Sequence, residues 1–279
     1  MSFVKGKYTI LMKKLSLRFL PLLVFGLLVY LVALVISFPA ARAYAHWQAS
    51  AYANKAIALT GISGSVWSGK AAMAVIQGQP LENVEWTLKP WSVLFGEVGV
   101  VWRFQLPESA GKGGYGQGAT ALGLDGSVTF STLEARLPAA MIAGIAKAGA
   151  LRPTGSVSVN LRDVVWDGQG LTSAQGRVVW SSAGISLLKP ISLGDQSVTL
   201  ETADGVVKGV LSDGGGPLSL DGLFTLTPDG KYNFNGSLAA RNDRELEGAL
   251  RSLGRPGADG RIKLKRSGSL ARLGLLPRR

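Results

Sequence analysis

The most apolar part of the chain is residues 19–38, FLPLLVFGLLVYLVALVISF, a run of twenty residues without a charge. At 1.5 Å per residue, a helix of this length spans about 30 Å, which is the hydrocarbon thickness of a bilayer. Residues 1–18 carry five basic residues and no acid. The positive-inside rule therefore predicts a cytoplasmic basic tail over 1–18, a single-pass transmembrane helix over 19–38, and everything after it on the other side of the membrane.

A cleaved signal peptide is the alternative interpretation of this start, because Ala43-Tyr44-Ala45 matches an A-x-A cleavage site. The apolar run is longer than the 7–15 residues of a usual signal peptide, so we favour the anchor. The following stretch is rich in Ala, and Ala favours helices, so a juxtamembrane helix is expected over 39–58. His46, the single His, lies in this stretch and is interpreted as a solvated interfacial residue.

Beyond residue 60, apolar and polar residues alternate in short segments such as 157–161, 198–202, 218–221 and 232–235. A period of two places one apolar face toward a core and one polar face toward water. Asp-Gly, a pair favoured in tight hairpin turns, recurs at Asp125-Gly126, Asp167-Gly168, Asp204-Gly205, Asp213-Gly214, Asp221-Gly222, Asp229-Gly230 and Asp259-Gly260. The pattern predicts a mainly β domain over residues 59–279, an antiparallel twisted sheet or half-barrel that could be jelly-roll-like.

Three segments depart from this alternation. Residues 137–149 have Pro at their second position and end with Gly, which predicts a short helix, laid over an open end of the sheet. A second short helix is expected over 241–253, and the Gly-rich stretch 109–123 is interpreted as a mobile loop. Large aromatic side chains usually fill cores, so six tryptophans are expected to be buried in the core and at its open rims, with a platform for a cofactor or sugar as the alternative: Trp67, Trp86, Trp91, Trp102, Trp166 and Trp180.

The net charge of +12 comes entirely from the two ends of the chain. Residues 1–18 contribute +5 and residues 261–279 contribute +7, while the 18 remaining basic residues balance all 18 acids. A nucleic-acid partner is not expected, because such a protein carries its basic residues across a binding face. Residues 261–265 alternate and predict an exposed edge strand. The basic end could bind anionic lipid or an acidic partner, or it could be a solvated tail that discourages aggregation.

Residues that could carry chemistry are scarce. The chain has no Cys and one His, and it contains neither a G-x-S-x-G nor a Walker motif. We therefore predict no catalytic, cofactor-binding or metal-binding residues, no cofactor and no enzymatic activity.

Four stretches resemble the type II secretion system protein N (GspN) family: LTGISGSVWSG at 59–69, VEWTLKPW at 84–91, LFTLTPDGKY at 223–232 and PGADGR at 256–261. The resemblance covers nearly the whole chain. It implies a single-pass protein of the Gram-negative inner membrane, with a cytoplasmic N-terminus and a periplasmic C-terminal domain. It also implies a non-enzymatic role in assembling or stabilising the apparatus that exports folded proteins across the outer membrane. The partners it implies are the platform proteins of that apparatus and the secretin.

Residues 59–106 are also similar to the start of AsmA/TamB-type periplasmic proteins, whose curled sheets carry an apolar groove. This second resemblance implies an AsmA-like open sheet and an alternative function, the binding or transfer of lipids through an apolar β groove. Partner, stoichiometry, sheet closure and lipid contact are left open by the sequence.

Overall fold

Thirteen strands form one antiparallel sheet, in which every strand pairs with its neighbours in sequence. The computed structural model describes residues 22–50, 57–76, 78–110, 113–145, 152–168, 170–186, 189–252 and 254–269. Within these ranges β1 and β13 each pair on one side only, so the sheet is open. The predicted antiparallel β architecture is confirmed. The jelly-roll-like arrangement is wrong, because it requires pairing between strands that are distant in sequence.

The strands are β1 (Ile57–Gly64), β2 (Ser68–Ile76), β3 (Gln79–Lys89), β4 (Glu97–Gln105), β5 (Tyr115–Gly123), β6 (Val128–Pro138), β7 (Thr154–Trp166), β8 (Leu171–Ser186), β9 (Pro190–Ala203), β10 (Val206–Asp213), β11 (Leu218–Leu226), β12 (Lys231–Ala240) and β13 (Ile262–Ser269). All connections from an odd to an even strand lie at one end of the sheet, which we call the α1 end. Connections from an even to an odd strand lie at the opposite end.

In the described part of the chain, four α-helices accompany the sheet: α1 (22–36), α2 (Ala40–Gln48), α3 (Ala139–Ile145) and α4 (Arg244–Arg251). A short 3-10 helix, Pro90–Phe95, joins β3 to β4. The helices expected within 137–149 and 241–253 are therefore present. α4 begins where the carboxylate of Asp243 accepts the N–H of Leu246 at 2.9 Å, a typical N-terminal cap.

The predicted N-terminal segments are only partly covered by the described residues. Residues 1–18 and 19–21 lie outside them, and α1 occupies 22–36 of the predicted transmembrane stretch. No helix within the described ranges is both long enough and apolar enough to cross a membrane. In the predicted juxtamembrane stretch, α2 ends at Gln48 and residues 51–56 are outside the described part.

The alternation of the sequence gives the sheet an apolar face and a polar face. One cross-strand row on the apolar face is Trp86, Trp102, Gly118, Leu133 and Leu161. The adjacent row on the polar face is Glu85, Arg103, Gln117, Glu134 and Asn160. Since neighbouring rows point to opposite sides, the pairing register keeps this separation across consecutive strands.

Most of the Asp-Gly pairs lie in turns between consecutive strands, as predicted. Asp204-Gly205 is the clearest, because both residues have positive φ, 54° and 71°, as a two-residue hairpin turn requires. Asp221-Gly222 is an exception and lies inside β11, so that turn prediction is wrong. The pair Asp259-Gly260 precedes β13 but follows a helical connection.

The prediction of a mobile loop over the Gly-rich stretch 109–123 is wrong for most of its length, because Tyr115–Gly123 is strand β5. Its glycines make room for aromatic rings from β4. A Cβ on Gly116 would lie 2.4 Å from Cζ of Phe104, and a Cβ on Gly118 would lie 2.9 Å from Cζ2 of Trp102. Glycine here marks the close approach of a ring to the backbone.

In the C-terminal half, the apolar face curls around a filled interior. Val207 of β10 is 0% exposed, and it packs in a cluster with Ala174 and Leu226. The β7–β8 connection reaches the β11–β12 connection, since a Cβ on Gly170 would lie 2.3 Å from the carbonyl oxygen of Pro228. At the opposite end, α4 closes the interior with two buried leucines.

The N-terminal half has a smaller buried cluster, formed by Ala74, Leu81 and Leu106, with Met141 of α3 packed against it. Both α3 and α4 therefore cover the apolar face at the end of the sheet opposite to the α1 end.

Candidate functional site

The surfaces that distinguish this sheet are its two edges and its α1 end. Among the residues that the structure describes, no group of three or more His, Cys, Asp or Glu side chains could hold a metal ion. His46 is exposed on α2. The predicted absence of catalytic and cofactor-binding residues stays a prediction, and the site is described below as an interaction surface.

The β1 edge is partly covered by α2. The N–H of Leu59 in β1 donates a hydrogen bond of 2.8 Å to the hydroxyl of Tyr44, whose ring lies 5.8 Å from that of Trp47. The side-chain amide of Gln48 donates to the same hydroxyl at 2.7 Å. Because an edge strand attracts further strands through its unpaired N–H and C=O groups, α2 restricts strand addition at β1.

The end of α1 is tied to the connection between β1 and β2. The N–H of Val66 donates to the carbonyl of Phe38 at 3.0 Å, and the indole N–H of Trp67 donates to the carbonyl of Val35 at 2.9 Å. All residues from 22 to 39 are exposed, so α1 does not pack on the sheet. It leaves the sheet at the α1 end.

The β13 edge has no such cover among the described residues. β13 pairs with β12, and its side chains alternate between the two faces. Ile262 contacts the α4 cluster on the apolar face, whereas Lys263 and Lys265 are exposed on the polar face. The predicted basic edge strand at 261–265 is therefore confirmed.

A hydrogen-bonded network on the polar face holds β13 in place. The guanidinium of Arg241 binds both oxygens of Asp213, at 2.7 and 3.1 Å, and donates to Ser219 Oγ at 3.1 Å. Arg261, directly before β13, donates to the same Ser219 Oγ at 3.1 Å and pairs with Asp221. The network thus joins β10, β11 and β12 to the start of the edge strand.

Asp213 is the acid of this network whose pKa is shifted from its ordinary value. Its side chain is 8% exposed, and hydrogen bonds from Arg241 lower its pKa to about 2. The loss of hydration on burial acts in the opposite direction and raises the pKa, but its effect is smaller. The N–H groups of Gly215 and Leu220 also donate to this carboxylate, at 2.8 and 3.0 Å. This acid is therefore ionised at neutral pH and acts as a structural clamp.

The rest of the polar face is lined by charges of both signs and by amides. Glu134 accepts hydrogen bonds from Gln117 and Tyr115, both at 2.8 Å, and these two bonds lower the pKa of Glu134. The bond to Glu134 also raises the pKa of Tyr115. A depression of about 600 Å³ beside them is lined by Glu85 and Arg103 among others. The arrangement offers hydrogen bonds to a partner surface.

The tryptophans show where the sequence prediction was incomplete. Four of the six predicted core tryptophans lie half-buried on the apolar face: Trp86, Trp102, Trp166 and Trp180. Trp67 lies in the β1–β2 connection, against α1. Trp91 is 75% exposed in the 3-10 helix, so its predicted burial is wrong. The Pro90 that precedes it was the available signal, because Pro ends a paired strand.

The family model and the curated relatives that match this chain carry the same family description. The family model described as "Type II secretion system (T2SS), protein N" matches residues 55–265. A protein named type II secretion system protein N from Aeromonas hydrophila is 23% identical over 250 residues, covering 88% of this chain and 96% of the relative. A protein of the same name from Vibrio cholerae is 25% identical over 217 residues, covering 76% of this chain and 84% of the relative. No solved structure matches the chain.

Proposed function

Because the chain belongs to the type II secretion system protein N family, we propose that it is a non-enzymatic inner-membrane component of the type II secretion apparatus. In this role it contributes to the assembly or stability of the machinery that exports folded proteins across the outer membrane. Its contribution is positional, since it holds a protein-binding surface at a fixed place relative to the inner membrane.

The proposed topology follows from the distribution of charge and apolar residues. Residues 1–18 lie in the cytoplasm, residues 19–38 cross the inner membrane, and the chain from residue 39 onward is periplasmic. The asymmetry of five basic residues before the apolar run supports this orientation. The exposed side chains of α1 are also suited to contact with lipid.

The observation that carries the proposed contact is the open, basic edge of β13. Its backbone can accept a partner strand, and exposed Lys263 and Lys265 favour a partner with acidic side chains. α2 covers part of the β1 edge, so the two edges are not equivalent. We propose that β13 binds another protein of the secretion platform or the secretin.

Site-specific photo-cross-linking tests this contact. A photoreactive residue is placed at Lys265 of β13 in the full-length chain, in cells that secrete through this pathway. The matched control is Lys208, which is also an exposed lysine on the polar face but lies in β10, inside the sheet. We expect cross-links to secretion proteins from position 265 and none from position 208, and high salt should weaken the contact.

Two results would contradict the proposal. One is an identical pattern of cross-links from positions 208 and 265. The other is unchanged export of secreted enzymes into the medium after deletion of the gene under conditions in which the other secretion proteins are required.

The uncovered part of the apolar face favours a second candidate function, the binding of lipid. Val98 and Leu122, on neighbouring strands near the α1 end, are 36% and 46% exposed. The filled interior of the C-terminal half opposes this function there. Mass spectrometry of the detergent-purified protein would detect bound lipid, and tryptophan-to-alanine replacement at Trp102 should reduce its amount if the apolar face holds it.

A further inference from the structure

Four large apolar side chains project into solvent at the α1 end. Trp91, Val93 and Phe95 of the 3-10 helix are 75%, 54% and 83% exposed, and Leu124 in the β5–β6 connection is 83% exposed. We call these four residues the apolar rim. Exposed apolar side chains scattered singly are ordinary, but a group of this size marks a surface that contacts another apolar phase.

The rim is held in shape by the backbone beneath it. The 3-10 helix ends at Gly96 in the left-handed conformation, with φ of 77°, and the N–H of Leu124 donates to the carbonyl of Gly96 at 3.0 Å. This hydrogen bond fixes the β5–β6 connection against the β3–β4 connection. The exposed side chains are therefore presented together by two connected loops.

The rim continues onto the uncovered apolar face of the sheet. Val98 follows Phe95 by three residues, Leu122 precedes Leu124 by two, and the two pair across β4 and β5. α3 and α4 cover the apolar face at the other end of the sheet. At the α1 end, the 3-10 helix itself contacts β4, where Ser92 Oγ accepts the N–H of Gly99 at 2.9 Å.

The rim also lies at the end of the sheet from which α1 departs. The N–H of Leu88 donates to the carbonyl of Trp67 at 2.7 Å, and Trp67 in turn holds the end of α1 through its indole N–H. Two residues after Leu88, the 3-10 helix begins. A membrane that holds α1 therefore meets the sheet at the end that carries the rim.

We propose that the apolar rim inserts into the periplasmic leaflet of the inner membrane, as a second membrane contact beside α1. The proposal rests on the inner-membrane anchor proposed above. Trp is suited to the interfacial depth, where one part of its ring system is in contact with lipid and its N–H stays hydrated. A second contact at the rim would restrict the tilt of the sheet more than the attachment of α1 to the β1–β2 connection does alone.

The chain has no Cys, so single-cysteine labelling tests the contact without background. Full-length variants Phe95→Cys, Leu28→Cys and Glu108→Cys carry an environment-sensitive fluorophore and are reconstituted into phosphatidylethanolamine–phosphatidylglycerol vesicles. Leu28 lies within α1, and Glu108 is an exposed residue at the opposite end of the sheet. We expect nitroxide groups on the acyl chains to quench the labels at positions 28 and 95, with no quenching at position 108.

The outcomes separate this inference from the anchor proposal. A label at position 28 in lipid with a label at position 95 in water overturns the inference, leaves the anchor intact, and assigns the rim to a protein partner. A label at position 28 in water overturns the anchor.

Because the fluorophore itself is apolar, a second variant carries Trp91→Ser and Leu124→Ser with the label still at position 95. We expect quenching to fall to the level of the Glu108 label, with the β-sheet circular dichroism unchanged. Full retention of quenching overturns the inference.

Discussion

Replacement of Asp213 by Asn should weaken the attachment of the edge strand. Asp213 binds Arg241 through both carboxylate oxygens, and Arg241 shares Ser219 with Arg261 at the start of β13. A pKa lowered from 3.8 to about 2 corresponds to roughly 2 kcal/mol of stability at neutral pH. Arg241 is 42% exposed, so screening by water reduces this figure, and we expect a loss of about 1–2 kcal/mol.

The pH dependence of this loss has a definite sign. The pKa of Asp213 is lower in the folded protein than its ordinary value of 3.8, so the unfolded chain binds the proton more readily. The contribution of Asp213 is therefore fully present above pH 3.8 and is lost as the pH falls from there toward about 2. The difference in stability between wild type and Asp213→Asn should shrink over the same interval.

Urea denaturation of the full-length protein in detergent micelles, followed by tryptophan fluorescence, measures both effects. Asp229→Asn is the matched control, because the pKa of Asp229 is also lowered to about 2, mainly by its hydrogen bond with Lys231. Unlike Asp213, Asp229 and its partner are exposed in a turn. We expect little change in the control, since exposed ion pairs contribute little. Equal losses in the two variants, or a loss for Asp213→Asn that is the same at pH 3 as at pH 7, would refute the reasoning.

Three other predictions concern local contacts. Leu246→Ala should destabilise the protein by about 3 kcal/mol in the same urea assay, because Leu246 is 1% exposed in the α4 cluster. Gly116→Ala should destabilise it by about 1–3 kcal/mol, and a second change, Phe104→Leu, should restore part of that stability by removing the ring that a Cβ would meet. Tyr44→Phe removes the hydroxyl that accepts the N–H of Leu59, and hydrogen exchange of that amide should become faster without a change of fold.

Much of the sheet could be predicted from the sequence because alternation and turn residues act locally. The segments 157–161 and 232–235 lie in β7 and β12, and Asp204-Gly205 forms the tight turn that its residue types favour. Local signals do not reveal what a glycine is packed against. The glycines of β5 were therefore mistaken for a loop, although Gly116 and Gly118 lie under rings from the preceding strand.

The interaction surfaces were harder to predict because they depend on contacts between distant parts of the chain. The basic alternation at 261–265 does predict an edge strand, since charged residues are common on sheet edges. Nothing local shows that Tyr44 covers the other edge by binding Leu59. For Trp91 the only local signal is Pro90, which ends the paired strand, and it competes with the default expectation that an aromatic residue lies in the core.

The sequential order of the strands separates the two proposed contacts in space. α1 is attached beside β1 and β2, whereas the basic edge is β13 at the far side of the sheet. Twelve strand spacings of about 4.8 Å give an upper limit of about 58 Å between the two edges, and the curl of the C-terminal half shortens this distance. If α1 and the apolar rim hold the first strands against the membrane, β13 is carried away from the anchor by the width of the sheet. Serine replacements in the rim should then alter the tilt of the sheet, and with it the cross-links formed at position 265, while the structure of β13 itself is unchanged.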